Sequence, residues 1–500
     1  MGLVALAAYR TTLLPGVFGW DTGEAQTVPV LAGTMHPTGF PAYVVIGWLA
    51  SLVLAPLGDG ALRMNLLSAL LAAVAAAAML PVLRRLGVPL PVAVAASLCL
   101  ALTPIAWRIS AAADVHALHL ALVVLIVLAL LRWEDAVHRR RARPDDRARA
   151  RGADRALVLA AALFGVGLAN HALTLLLAPG VGAYLLAVDR EVFRRPRLVL
   201  AAAGACLGVA ALLYLELPLR AGPFPAPLVY GNPDTWSGFW AVVLARQFQG
   251  DFIASLADLV GVVEAFARLT VAQLGLLTLL VLPAFAVTAV RRPAYALLSG
   301  VATLLTCAFA AVYVNADIGR YYLGPAVFAW SWLAIAAGAV VDLVATRRLG
   351  VASRGGRVRP IVAIAVAASL ALPTVLALPE RHDAVDRSRD TEMAHWLDDA
   401  MTGFDRDAVV VSWWSFSTEL WYGTLVEGRR PDLRIVDDST RESEGLGSVD
   451  DVIDANLGTR PVLVIRLPKD LEDLAHRYVI EPVDRASGVF RVTGHVEPQP

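Results

Sequence analysis

Charge is scarce in this 500-residue chain: only 17% of its residues are Asp, Glu, Lys or Arg, while 57% are hydrophobic and the mean hydropathy is +0.62. Those values exclude a soluble globular protein and mark a membrane protein, and nothing in the composition points to a nucleic-acid partner. Cysteine is nearly absent. The three present, Cys99, Cys206 and Cys307, each fall inside a predicted apolar helix, so neither a disulfide framework nor a CxxC metal motif exists, and redox chemistry and structural zinc are not expected. Lysine occurs once, at Lys469; the remaining basic charge is arginine, which together with the abundant alanine reflects a GC-rich genome more than a chemical need. The opening MGLVALAAYRTTLLPGVFG lacks a basic leader and a small-x-small cleavage site, so it reads as a spanning helix and not a signal peptide.

What charge there is, is unevenly placed. The formal net charge is zero, yet residues 380–500 hold about 14 of the 43 basic and about 25 of the 43 acidic side chains. That tail is therefore near −11 and the remainder near +11, the pattern of a solvated acidic domain attached to a membrane domain whose arginines mark the cytoplasmic side.

A spanning helix needs roughly 20 mainly apolar residues. Eleven candidates stand at about 2–19, 62–83, 88–106, 116–132, 156–169, 172–188, 198–217, 271–290, 294–314, 325–345 and 360–378. Arg84-Arg85, the run 132–155, 190–197, Arg291-Arg292 and 347–359 fall in alternate loops, which must then be cytoplasmic. The chain is expected to start in the cytoplasm of a cell with its plasma membrane as host, and to end outside. Residues 43–58, YVVIGWLASLVLAPLG, would break this alternation if they crossed, so they read as an interfacial or re-entrant helix inside one long external loop, 20–61. The fold class is thus mainly α: a polytopic bundle over 1–379, followed by a small extracytoplasmic α/β domain over 380–500. In the tail, PERHDAVDRSRD reads as a polar linker, TEMAHWLDDAM and VDDVIDANLG as helices, and DAVVVSWW, DLRIVDDS and RPVLVIRL as strands.

The polar residues outside the arginine-rich loops gather on the opposite, external side. Asp21 and Glu24 stand three apart, on one face of any helix starting there. They suit a capping box, with Asp21 as N-cap and Glu24 reaching back to its amide, and equally a general base at the membrane boundary, where ionisable groups are costly to keep. His36 precedes a proline that restricts it to extended or turn geometry, with Gly39 and Pro41 stiffening the same turn. Asp114 and His116 open a helix, and His171 sits at a helix break. Arg108, Arg220, Arg246 and Arg320 lie outside against the positive-inside bias, each able to clamp a phosphate or to decorate a surface. Tyr321 and Tyr322 add rings suited to a binding site or to an interfacial belt. The aromatic stretch WWSFSTELWY (413–422) suits a buried core or an acceptor path.

Taken in order, WDTGE, HPTGFP, LRMNLLSAL, TPIAWRISAAADVHALH, LFGVGLANHALTLLLAPG, LELPLRA and YGNPDTWSGFW resemble the multi-pass GT-C glycosyltransferases, in particular their protein O-mannosyltransferase-like branch, over about residues 5–250. The family's Asp-Ser-Gly-Glu and His-Pro-Pro-Gly-Tyr-Pro fall on Asp21, Gly23, Glu24, His36, Pro37, Gly39 and Pro41, with Thr22, Thr38 and Phe40 as departures. A Glu-Val-Tyr of the second external loop is replaced by Asp114-Val115-His116, which alters the aromatic partner. The resemblance implies inverting transfer of a sugar from a polyprenyl-phosphate donor to a protein or glycan hydroxyl at the external face. Asp21 or Glu24 would then serve as base, with His36, Arg108, Asp114, His116, His171, Arg220, Arg246, Arg320, Tyr321 and Tyr322 in substrate binding. No cofactor is required, and a divalent metal is left open. Three rivals stand beside this reading: a transporter or flippase of lipid-linked sugars, for which the inverted repeats and broken midplane helices are missing; a non-catalytic scaffold; and a glycosidase using the two carboxylates.

Overall fold

The structure, a computed structural model, describes residues 1–142, 147–252, 258–347, 355–483 and 486–497. The first eight α-helices are α1 (Gly2–Thr11), α2 (Trp20–Leu31), α3 (Pro41–Val53), α4 (Gly60–Arg85), α5 (Leu90–Ala101), α6 (Pro104–Arg108), α7 (Val115–Ala142) and α8 (Arg147–Asn170). Asp59 starts α4 by accepting the Leu62 amide at 2.8 Å, and Arg84-Arg85 complement the dipole at its other end. From Val115 to Leu131 nearly every residue of α7 is buried, whichever way it points, because α4 and α8 pack along its flanks. A helix apolar on all sides has no solvated face to offer, so it occupies the centre of the bundle.

Among the described residues eight helical stretches are long and apolar enough to cross a membrane: Gly60–Arg85, Val115–Ala142, Gly152–Asn170, Pro196–Ala221, Val260–Arg291, Pro293–Val312, Ile318–Ala345 and Val358–Leu376. Three of the eleven expected spans are shorter than that. The segment expected at 2–19 is helical only through Thr11, beyond which come Thr12, Pro15 and Gly16. The segment 88–106 breaks before Pro104, which holds Thr103 extended at ψ 143° and divides the stretch into α5 and α6. The segment 172–188 starts as a 3-10 turn, Ala172–Leu177, before becoming α-helical at Ala178–Val188. Residues 43–58 form α3 and a short 3-10 turn, too short to span, and the first half of the loop 20–61 proves helical as well, as α2.

The arginine-rich segments meet at one end of the bundle. Arg85 pairs with Asp135, Arg140 with the buried Asp189 at 2.7 Å, Arg195 with Asp154 at 2.8 Å, and Arg291 and Arg359 both with Asp342 at 2.9 Å. Residues 143–146 of the first run and 348–354 of the last lie outside the described residues. Since α7 has 28 residues, about 40 Å separates this end from the loops expected outside.

Residues 379–390 are a packed element more than a linker. Helix Leu378–Val385 buries Arg381 and Val385, and the Arg381 guanidinium donates to the carbonyls of Leu102 and Gln273 at 3.1 and 2.9 Å. Beyond helix Glu392–Gly403 lies a five-stranded sheet of β1 (Val409–Ser412), β2 (Arg434–Val436), β3 (Val462–Ile465), β4 (Tyr478–Pro482) and β5 (Phe490–His495), in the order β2-β1-β3-β5-β4. β1 runs parallel to both β2 and β3, while β5 is antiparallel to β3 and β4. All three strands expected in the tail are present; β1 and β3 are buried throughout, as parallel strands covered on both faces are.

Candidate active site

The loops at the end remote from the arginine clusters converge on one cavity of about 940 Å³. Its wall takes residues from the start of α2 and the turn after it, from 108–116, from 171–176, from 230–252, from 309–321, and from the C-terminal domain.

Gly19 and not Asp21 is the N-cap of α2, and no side chain caps it. Asp21 stands inside the first turn with 42% of its side chain exposed, faces the cavity, and accepts from Arg320 Nη2 at 2.7 Å. The capping box is not formed. Glu24, one turn on, is 1% exposed and reaches forward, taking the backbone N–H of His36 at 2.8 Å and pairing with His36 Nδ1. Glu24 does not line the cavity, so its expected part as a base is not supported by its position; it fixes His36, which does line it. Trp20, between Gly19 and Asp21, has φ +60°, a conformation that costs a non-glycine residue about 1–3 kcal/mol. Its ring lies edge-on to Trp413 and Phe416 of the C-terminal domain, at 6.0 and 6.1 Å, which holds it there.

Arg320 is the hub of the charged wall. Only 12% exposed, it meets Asp21, Asp317 at 3.1 Å and Asp114 at 3.6 Å, while Arg108 pairs with Asp317. Asp114 also accepts both the backbone amide and Nδ1 of His116 at 2.8 Å. Burial raises the Asp21 carboxyl, but the charges of His36 and Arg320 outweigh it and hold it below the usual carboxylate range. Asp114 is likewise held down, burial being overcome by His116 and Arg320. For His36 burial works against the charged form, yet the Glu24 carboxylate prevails and raises it above the ordinary imidazole value. Asp21 is thus held toward its ionised form and His36 toward its protonated one.

His36, His116 and His171 share one arrangement. In each, Nδ1 is engaged by the protein: by Glu24, by Asp114, and for His171 by the Leu173 N–H at 3.1 Å. A ring whose Nδ1 accepts carries its proton on Nε2 when neutral, so His171 presents an N–H donor. The rings form a row: His36 against Phe40 at 5.1 Å, Phe40 against His171 at 5.6 Å, His171 against His116 at 4.8 Å and Tyr321 at 5.7 Å. Tyr321 in turn stacks on Tyr313 and Phe309. Among the described residues no group of three His, Cys, Asp or Glu is placed to hold a metal ion.

Three expected binding residues lie elsewhere. Arg220 donates to the carbonyls of Ala32, at 2.5 Å, and Leu31, satisfying the free end of α2. Arg246 is exposed on the flank while its neighbours Ala245 and Gln247 line the cavity. Tyr322 is buried against Phe266, 5.2 Å away, since successive residues of this turn point in different directions. The motif residues Gly23, Pro37, Gly39 and Pro41 have these places in the loop. A methyl group at Gly23 would lie 2.5 Å from Phe18 O and 2.7 Å from Thr418 Oγ1, so the bare backbone lets the C-terminal domain close on α2. Gly39 has φ +82° with Leu217 against it, Pro37 lines the cavity, and Pro41 takes the first position of α3. Sequence reasoning missed Asp317, whose only signal was its place one turn before Arg320. It also left undivided the stretch 413–422, of which Trp413, Trp414 and Ser415 line the cavity while Leu420, Trp421 and Tyr422 are core.

Residues 21–192 match the sequence model of the protein O-mannosyl-transferase TMEM260 N-terminal domain. Over 130 residues the chain is 32% identical to protein O-mannosyl-transferase TMEM260 of Mus musculus, a match spanning 26% of this chain and 18% of that protein. Among solved structures it is similar to ArnT from Cupriavidus metallidurans bound to undecaprenyl phosphate, with TM-score 0.61 at 16% identity, over 98% of this chain and 96% of ArnT. It is also similar to the oligosaccharyltransferase AglB from Archaeoglobus fulgidus in complex with an inhibitory peptide and a dolichol-phosphate, with TM-score 0.54 at 15% identity, over 100% of this chain and 74% of AglB.

Proposed function

We propose that this chain, which has the GT-C fold and an N-terminal domain of the protein O-mannosyltransferase-like kind, is an inverting glycosyltransferase that moves a sugar, mannose foremost, from a polyprenyl phosphate to an acceptor hydroxyl. The observation that carries this reading is Asp21: a carboxylate kept ionised by Arg320 and His36, in contact with a cavity large enough for a sugar phosphate.

The acceptor oxygen attacks the anomeric carbon on the face opposite the phosphate, and Asp21 takes the hydroxyl proton as the new C–O bond forms. The bond from that carbon to the phosphate oxygen breaks, leaving a lipid phosphate monoester, and a single displacement of this kind inverts the anomeric centre. The leaving phosphate needs no acid, but its growing charge needs fixed positive groups and donors. Arg320 and Arg108, with His36 and the Nε2–H of His171, supply them, while Asp114 and Asp317 keep the guanidiniums in place. The cavity has an apolar side for the lipid, where Leu173, Leu175 and Leu176 border it, and Leu175 is 60% exposed. The C-terminal domain adds Trp413, Trp414, Ser415, Asp438 and Ser439 to the wall, and a protein or glycan acceptor would reach Asp21 through the same cavity. The arginine clusters occupy the other end of the bundle, which by the positive-inside bias supports a reading in which the cavity and the C-terminal domain face away from the cytoplasm.

Replacing Asp21 by Asn tests the proposal in detergent-purified protein supplied with radiolabelled polyprenyl-phosphate mannose. Transfer should fall about 10²- to 10⁴-fold with the protein still folded; label moving at the unmodified rate would remove Asp21 from the mechanism.

A further inference from the structure

We infer that the C-terminal domain supplies the sugar-recognition wall of the cavity, with Trp414 and Ser415 reading the hydroxyl groups of the transferred sugar. The inference rests on the glycosyl-transfer reading above and names what selects its donor.

Three observations lead there. The first is topological. β1, β2 and β3 are parallel, and the chain leaving the carboxyl ends of two of them enters the cavity wall: Trp413, Trp414 and Ser415 follow β1, and Asp438 and Ser439 lie just past β2. In open α/β sheets the crevice beyond the carboxyl ends of parallel strands is where ligands bind. Here the crevice opens onto the cavity that holds Asp21.

The second is unspent hydrogen-bonding capacity. The indole Nε1 of Trp414 and the Oγ of Ser415 are both buried, the serine 1% exposed, and neither has a hydrogen-bond partner among the described residues. A buried donor without a partner is unfavourable unless a ligand completes it. An indole N–H can only donate, and a serine hydroxyl both donates and accepts, so the complementary ligand offers oxygens with lone pairs and hydroxyl hydrogens side by side. A pyranose does so. Asp438, in the same wall, is already committed to Arg466 at 3.0 Å, whereas Trp414 and Ser415 keep their hydrogen-bonding groups unused.

The third is position. The Trp414 ring stands edge-on to His36 at 5.1 Å, and His36 in turn meets Phe40, from which the row leads to His171 and Tyr321. A donor with its phosphate among the arginines and His171, and its lipid along Leu173 to Leu176, would extend its sugar toward Trp414. The loop is rigid enough to discriminate. Trp413 N–H donates to Ile465 O at 3.0 Å, Ser417 N–H donates to Trp414 O at 3.0 Å, and Thr418 is pressed against Gly23, two residues after Asp21.

The experiment uses full-length protein, with Trp414→Phe keeping the ring but losing the N–H and Ser415→Ala losing the hydroxyl. Steady-state transfer is measured with polyprenyl-phosphate mannose and with polyprenyl-phosphate glucose, which differ at one hydroxyl, and thermal unfolding of each variant is recorded alongside. A fall of about 10-fold or more in kcat/KM for the preferred donor, a narrowed ratio between the two donors, and an unchanged KM for the acceptor are expected. An altered acceptor KM with the donor ratio intact would assign the wall to the acceptor and overturn the inference, as would no change in any parameter. If Trp414→Phe does not fold, Ser415→Ala, the smaller change, decides alone by the same criteria, and Ser415→Cys stands in should it fail too. Transfer that proceeds yet ignores these variants defeats only this inference, whereas absence of transfer from every polyprenyl-phosphate sugar defeats the reading beneath it.

Discussion

Replacing Glu24 with Gln separates a carboxylate that does chemistry from one that holds another group in place. The buried Glu24 accepts the His36 N–H at 2.8 Å and pairs with His36 Nδ1. Glutamine is isosteric and keeps one acceptor oxygen, so the backbone bond survives, but the charge-assisted partner of the ring is lost. Hydrogen bonds to charged groups contribute about 1.5–3 kcal/mol, and loss of one member of a buried pair costs about 3–5 kcal/mol when nothing replaces it; with the backbone bond retained, a destabilisation of about 2–3 kcal/mol is expected. The loss should depend on pH in a defined direction. Glu24 raises His36 above its ordinary value, so the folded state holds the proton more tightly than the unfolded one. The stabilisation is complete below the unfolded imidazole value, about 6.5, and disappears as pH rises through the higher folded value. Chemical or thermal unfolding of the purified protein in detergent, compared between the native chain and Glu24→Gln from pH 5.5 to 10, should therefore show a gap that is widest at the acid end and narrows with rising pH. A gap constant across that range, or one that widens upward, would falsify the assignment of the pair as a charged one. Transfer should weaken with stability and should not vanish, in contrast to Asp21→Asn.

Gly23→Ala places a methyl group against Phe18 O and Thr418, and overpacking of about 1–3 kcal/mol should outweigh the roughly 1 kcal/mol gained in helix propensity; lower thermal stability and faster proteolytic release of residues beyond 386 are the readouts. Arg220→Gln should lower stability by about 1–3 kcal/mol through the unsatisfied end of α2 with little change in donor KM, and Arg246→Gln should alter neither; a raised donor KM in the latter would return Arg246 to the site. Burial raises the Glu419 carboxyl to about 7, so the native chain loses stability as pH climbs from about 4.3 toward that value and is level above it. Glu419→Gln, which cannot ionise, should gain on the native chain by up to about 3 kcal/mol between pH 5 and pH 8, and a variant that gains nothing over this range would show that the buried group is paired.

Much of the site could be read in the chain because membrane topology groups residues that are far apart in sequence. Arginine alternation places the loops 20–61, 103–115, 170–171, 218–270 and 315–324 at one end, and each of them lends residues to the cavity, which 172–176, 309–313 and the C-terminal domain complete. Choosing among residues of one kind was harder, since that depends on direction. Asp21 and Glu24 are about 60° apart around a helix, enough for one to face the cavity and the other His36. Arg220 and Arg320 look alike in sequence, but one ends beside free carbonyls and the other amid three carboxylates. Hydropathy also merged 88–106 into one span, because an average over apolar residues does not register the single constraint that Pro104 imposes on Thr103.

The contact of Gly19 and Gly23 with Glu419 and Thr418 ties two regions almost 400 residues apart into one interlocking surface. Neither side can change size alone, so the halves of this protein are not modules to be exchanged freely: a chimera that takes its outer domain from a relative should work only if it also imports that relative's version of the Gly19–Gly23 turn, and drift at either partner should be answered by a matching change at the other.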